Sequence, residues 1–229
     1  MSEAISHDMH RSTPLSQLRD MMRHIARISA RPTSALLKSA LLLLAGSIAP
    51  ALAGDHAVVR NCTWCHGTSA QGYTVAPRLA GQRPLYLETQ MRSFREHIRD
   101  NPFSKQYMWS AAASLDPGSV RELAAYFATI PPRPANDGDQ ALAATGRVIY
   151  MEGIPDANVA ACYACHGPNA EGIRDIPRLG GLSRSYLKAR LQQWGQGYHS
   201  TPGSPMPVVA RSLAPQEIEA LTSYLSFIR

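Results

Sequence analysis

Long apolar runs are missing from this chain of 229 residues. The run SALLLLAGSIAPALA, Ser39 to Ala53, is shorter than the roughly 20 residues a membrane span needs, and Pro50 sits inside it. Runs of Lys and Arg are missing too, so nothing points to DNA or RNA. No segment alternates apolar and polar residues as a strand does, and no convergent catalytic pair stands out. Cysteine is scarce. All four copies fall in one repeated pattern, CTWCHG at Cys62–Gly67 and CYACHG at Cys162–Gly167. What is present is enough apolar residue for packed cores (45%), with 17 prolines and 16 glycines that rule out a continuous helical bundle.

The first fifty-odd residues read as an address rather than a fold. Arg11, Arg19, Arg23, Arg27, Arg31 and Lys38 precede an apolar run that ends in Ala51-Leu52-Ala53, the small-x-small pattern that signal peptidase reads. Residues 1–53 are therefore expected to be a signal peptide, cleaved after about Ala53, with an uncleaved anchor as the alternative. Met21 and Met22 are rival starts that would leave a basic leader of ordinary length. The remaining chain then works in the periplasm. Its seventeen Lys/Arg against fourteen Asp/Glu leave +3, a weak charge that suits brief docking on a partner.

The second half repeats the first at an offset of 100. APRLAG at 76–81 faces IPRLGG at 176–181, and Tyr86-Leu87 faces Tyr186-Leu187. After a shift of two, SLDPGSVRELAAYFATI from Ser114 faces SLAPQEIEALTSYLSFI from Ser212, and Met108 falls opposite Met206. Ordered matches of this kind mark an internal duplication. The stretch PPRPANDGD, Pro131 to Asp139, reads as a semi-rigid linker. Residues 131–137 separate a first domain, 54–130, from a second, 138–229.

Each copy predicts a helix after its PRL loop, with Leu87, Met91, Phe94 and Ile98 on one face, and Leu187, Leu191 and Trp194 on the other copy's face. A closing helix follows. Asp116 caps it with Pro117 at the first position, and Val120, Leu123, Phe127 and Ile130 form its stripe. In the second copy Pro215 opens the helix that carries Ile218, Leu221, Leu225 and Ile228. A further helix is expected over about Gln140 to Met151. The first copy has only GDHAVVRN there, room for two turns. The fold class is all-α: two small domains with long loops, which need a staple or cofactor to be stable.

The C-x-x-C-H spacing supplies that cofactor. It is the attachment signature of c-type haem: Cys62 and Cys65, and Cys162 and Cys165, each add across the vinyls of one haem as thioethers. His66 and His166 follow at once as proximal iron ligands. A Cys62–Cys65 redox disulfide would leave the histidines unexplained, and a single zinc site would have to bridge a hundred-residue gap. Distal ligands come next. Met206, between Pro205 and Pro207, is expected on a rigid loop as the second iron's ligand, with soft sulfur raising the potential. Met108 holds the aligned place, although Tyr107 and Trp109 allow it to be one more apolar loop residue. His97 and His199 are the rival ligands, otherwise surface histidines. Met91 and Met151 are expected to pack. Pro77 and Pro177 sit where a carbonyl can accept the proximal imidazole N–H. Arg78, Arg178, Tyr86 and Tyr186 are weaker propionate-binding candidates, with solvent-facing arginine as the plain alternative.

The pattern CHG…PRLAGQ…YL…M…SL…LAAYFATI, with its second copy, resembles the di-haem class I cytochromes c of the c-four type over nearly all of residues 54–229. The resemblance implies two cytochrome c domains, two haem c groups and His–Met ligation at both irons. Pro77 and Pro177 carry over as acceptors from the proximal histidines. It also implies a periplasmic electron carrier rather than an enzyme, soluble or loosely membrane-associated. Such a carrier is served by redox partner proteins, a donor complex and a terminal oxidase or dehydrogenase. The rival functions are the cytochrome subunit of a membrane dehydrogenase, and a di-haem oxidoreductase such as a peroxidase or thiosulfate dehydrogenase. The first copy departs from the family by lacking most of the helix that normally packs on its closing helix.

Overall fold

The computed structural model of the chain describes residues 56–199 and 203–229. The expected signal peptide, 1–53, and its rival starts lie outside them. Asp55–Arg229 form one compact unit, and among the described residues the secondary structure is helical, apart from an isolated bridge between Ile154 and Val159.

In the first copy, α1 (His56–His66) is followed by α2 (Pro84–Arg95), a π-helical turn (Ser104–Met108), α3 (Trp109–Ala113) and α4 (Pro117–Thr129). In the second copy, α5 (Gln140–Glu152) precedes α6 (Tyr163–His166), α7 (Arg184–Gly195), α8 (Met206–Ser212) and α9 (Pro215–Phe227). The closing helices start as their sequence dictates. Asp116 Oδ1 accepts the N–H groups of Gly118 and Ser119 at 2.7 and 3.1 Å, and Pro117 occupies a position whose N–H would be unpaired in any case. In α9 the Glu217 carboxylate accepts the Ala214 N–H at 2.7 Å.

Burial follows the predicted stripes with one correction. Phe94, Leu187 and Leu191 are buried, as are Val120, Leu123 and Phe127 on α4 and Ile218, Leu221 and Leu225 on α9. Ile98 is exposed, because α2 stops at Arg95 and the helical period no longer applies beyond it. Met151 packs against the second core as expected. Before the first cysteines the helix keeps within the expected two turns, His56 to Asn61. It has 11 residues, because it runs on through the cysteine motif itself.

The two cores differ in what covers the closing helix. In the second copy α5 lies on α9, and the backbones approach so closely that a Cβ on Gly146 would sit 2.0 Å from Ala220 O. Ala220, Ser223 and Ser226 are buried on the covered face. The aligned residues of α4 carry less cover: Glu122 and Ala125 are exposed and Ala128 is half-buried. The first core is accordingly smaller, built on Ala70, Ala80, Leu123 and Phe127, with Val58, Val59 and Leu87 packed around it.

The linker is fastened rather than loose. Ala135 N–H donates to Gly181 O and Asn136 N–H to Ser226 O, at 3.0 and 3.1 Å, and the Asp139 N–H donates to Ser223 Oγ. The copies also meet directly. Arg78 donates through Nη1 to Arg133 O (2.7 Å) and Gly181 O (2.8 Å), and through Nη2 to Gly180 O (2.5 Å). Gln82 reaches across as both donor and acceptor, from Nε2 to Arg178 O and at Oε1 from the Arg178 N–H.

Candidate haem-binding sites

Each cysteine motif lies on the last turn of a helix. Cys62, Cys65 and His66 end α1; Cys162 caps α6, which ends in His166. One helical turn brings Cys i and Cys i+3 to the same side, so both sulfurs of a pair can meet one ring. The chain leaves each motif through a glycine and folds a loop back over it. Gly72 N–H donates to His66 O and Gly172 N–H to His166 O, both at 2.8 Å. Those two glycines have φ of +80° and +74°, and a Cβ on either would lie within 2.5 Å of the Arg78 or Arg178 amide nitrogen. Only glycine makes that turn. The repeated Gly72 and Gly172 were a legible but unused signal in the duplicated sequence.

The loop delivers a carbonyl to each histidine. His66 Nδ1 lies 2.7 Å from Pro77 O, and His166 Nδ1 lies 2.9 Å from Pro177 O. A backbone carbonyl only accepts, so Nδ1 carries the proton and Nε2 keeps a free lone pair. Burial pulls both imidazoles below the usual histidine range, which keeps them neutral. A neutral imidazole with its lone pair on Nε2 is what a metal requires. Burial also pushes the Cys62 thiol up, and that of Cys162 to about 11. Neither is a low-pKa thiolate of the kind redox-disulfide motifs depend on.

The methionines are placed differently from the expectation of loops. Met108 ends the π-helical turn and α3 follows directly. Met206 is the first residue of α8, with Pro205 capping it and Pro207 at the second position. Proline suits a helix start, so the pair that reads as a rigid loop is a helix-initiating device. Both methionines are half-buried. Met91 lies half-buried on α2.

The weaker candidates separate. Both Nη atoms of Arg78 are taken by carbonyls, so its guanidinium clasps the two copies together and has only Nε unpaired. Arg178 donates Nε–H to Gly180 O at 3.2 Å. His97 is exposed and stacks on Trp109, with centroids 3.8 Å apart. His199, by contrast, is buried at 7% exposure with its Nδ1 unpaired.

That histidine belongs to a cluster the sequence reading did not assemble. Tyr86, Gln90, Arg99 and Asp100 of the first copy meet Tyr186, Arg190 and His199 of the second. Arg99 donates to Gln90 Oε1 at 2.7 Å and to Tyr186 OH at 3.1 Å, and Nε has no partner. Arg190 donates to Gln193 Oε1. Both arginines are only 6% exposed, and neither forms an ion pair among the described residues. Asp100 Oδ1 accepts the His199 N–H at 2.9 Å. Burial, Arg99 and Arg190 pull His199 down to about 3, and burial pushes the Tyr86 phenol up to about 12. Buried cations without counter-charge are costly. Haem carries propionate carboxylates, and two buried guanidiniums, that of Arg99 with its Nε–H unpaired, fit that charge. Arg99 and Arg190 are single arginines outside any repeated motif, which is why alignment of the two halves passes over them.

The comparisons with known proteins agree with this geometry. The Cytochrome c family model matches residues 143–228. Cytochrome c-552 of Acidithiobacillus ferridurans is 32% identical over 199 residues, covering 83% of this chain and 86% of that protein. The solved cytochrome c4 of Acidithiobacillus ferrooxidans superposes with a TM-score of 0.68 at 31% identity, covering 73% of this chain and 98% of that one. The chain belongs to the cytochrome c4 family. A third relative, the thiosulfate dehydrogenase electron acceptor of Stutzerimonas stutzeri, is 34% identical over 182 residues, covering 76% of this chain and 81% of that protein. Membership gives the class I cytochrome c fold in both copies, and two haem c groups held covalently at Cys62/Cys65 and Cys162/Cys165. It makes the protein a di-haem electron carrier whose partners are other redox proteins.

Proposed function

We propose that this c4-type cytochrome shuttles electrons in the periplasm with both irons closed by His–Met ligation, His66 with Met108 and His166 with Met206. The observation that carries the reading is the repeated proximal geometry, a buried neutral histidine tied through Nδ1 to Pro77 O or Pro177 O, with one methionine per copy at the aligned position. The haem irons supply one-electron chemistry between ferric and ferrous states. The chain's residues do the rest. The cysteines would fix each ring, the proline carbonyls orient each imidazole and raise its basicity, and the arginine cluster would offer positive charge to the haem carboxylates. With both axial places filled, no open iron is left for substrate, and the protein is a carrier rather than an enzyme. Residues 1–53 serve as the export signal, and 54–130 and 138–229 act as the two haem domains about the 131–137 linker.

The likeness to a thiosulfate dehydrogenase electron acceptor supports a dehydrogenase of that kind as donor, and a terminal oxidase is the acceptor that the family resemblance implies. The test is the oxidised and reduced optical spectrum with haem counted per chain. Two haems with the weak red charge-transfer band of ferric His–Met haem at full strength for both are expected. A half-strength band or a high-spin signal means one open iron, and an enzymatic reading takes over. Met206→Ala is expected to lower one redox wave markedly, since another ligand replaces the thioether. An unchanged pair of high-potential waves removes Met206 from the ligand set.

A further inference from the structure

The seam cluster breaks the symmetry of the duplication in an informative way. Tyr86 and Gln90 stand one turn apart on α2, and Tyr186 and Arg190 stand at the same spacing on α7. Helical residues i and i+4 share a face, so Gln90 and Arg190 are equivalent positions looking at the seam. The first copy has a neutral amide there and the second a guanidinium. The first copy's charge comes instead from Arg99, in the turn after α2. In the second copy the buried side chain from the corresponding turn is His199, which the surrounding burial and guanidiniums keep neutral.

The two guanidiniums nonetheless reach equivalent places. Arg99 lies over the Phe94 ring at 4.8 Å, and Arg190 lies over the Trp194 ring at 4.5 Å. Phe94 and Trp194 are aligned residues of α2 and α7. The chain also has a reason to have moved the charge. The turn is one residue shorter in the second copy: Arg99 N–H reaches back to Ser93 O, whereas Tyr198 N–H reaches Gln193 O. A side chain leaving that shorter turn starts from a different place. The helix position 190 then supplies the cation that the turn supplies in the first copy.

We propose that Arg190 is the transposed counterpart of Arg99, and that each of the two sets the potential of one haem, its own copy's. Reduction adds negative charge to a haem, and a buried cation stabilises that charge far better than an exposed one. Losing either guanidinium therefore lowers a potential. The inference rests on the di-haem reading above and adds a charge-for-charge exchange between a turn and a helix.

The test is redox titration of the purified di-haem protein and of Arg99→Gln, Arg190→Gln and the double variant Gln90→Arg/Arg99→Gln. Glutamine keeps length and hydrogen bonding but removes charge. Each single variant is expected to lower one wave, and not the same one, by up to tenfold in the reduction equilibrium, about 59 mV. The double variant moves the first copy's charge to the helix position the second copy uses, and is expected to return the displaced wave towards its original place. Movement of the same wave by both single variants, movement of both waves together, no movement, or no recovery in the double variant each overturns the proposal. If Arg99→Gln fails to retain both haems, retention of both in the double variant supports the exchange, and failure there too overturns it. A wild-type protein without two haems and two waves defeats the di-haem reading itself, a result separate from all of these.

Discussion

The two copies share a motif, a loop and a closing helix, yet they are not equally self-sufficient. Among the described residues the second has thirteen buried apolar residues in its cluster against four in the first, and α5 covers α9 while Glu122, Ala125 and Tyr126 on α4 are exposed. The Tyr150 hydroxyl, on α5, also donates to Gly167 O at 2.5 Å, tying the extra helix to the residue after the second cysteine motif. Among the described residues of the first copy, Gly67 O accepts the Ala70 N–H and no side-chain hydroxyl. A duplicated unit can therefore keep its haem chemistry while losing part of its scaffold, provided something else holds it. Two things do so here: covalent haem, which acts as core, and the Arg78 and Gln82 clasp to the second copy.

The largest effect that separates the copies comes from removing the cysteines in pairs. Cys62→Ala/Cys65→Ala should leave one covalent haem by mass and a first half that limited proteolysis cuts readily. Cys162→Ala/Cys165→Ala should also leave one haem, but with α5 and α9 still protected. Two haems in either variant would refute the attachment sites, and equal proteolysis would erase the difference between the scaffolds. Smaller is the effect of Gly146→Ala. The added Cβ meets the backbone of α9, and overpacking of this kind costs about 2 kcal/mol despite the gain in helix propensity. Urea unfolding should show the loss in the transition of the second copy alone. Smallest is Tyr150→Phe, which removes one of the two hydrogen bonds that Gly167 O accepts and leaves the one from the Ala170 N–H at 3.0 Å, about 1 kcal/mol. A loss that appears equally in both copies would mean that they unfold as one unit.

Much of the site was legible because the chemistry is local. A C-x-x-C-H motif fits on one helical turn, so four consecutive spacings carry its geometry. The loop carbonyls of Pro77 and Pro177 follow each histidine by eleven residues in both copies, and repetition makes them visible. Helix periodicity failed only where a helix ended, at Ile98. The proline-flanked Met206 misled in form, since prolines stiffen loops and start helices alike. His199 misled in place. A histidine near no motif reads as a surface residue, and its burial comes from the other copy, which presents Asp100 and Arg99 to it.

The sequence by itself determined the duplication, the two haem attachment motifs, the helical stripes and the family, because each is written in spacings of a few residues or in the offset of 100. Only the tertiary structure decided that Arg78 is a clasp, that Arg99 and Arg190 converge with Tyr86 and Tyr186, and that the linker is pinned. These contacts join residues roughly a hundred positions apart, and nothing in a local pattern states which buried charges will face each other once two domains close.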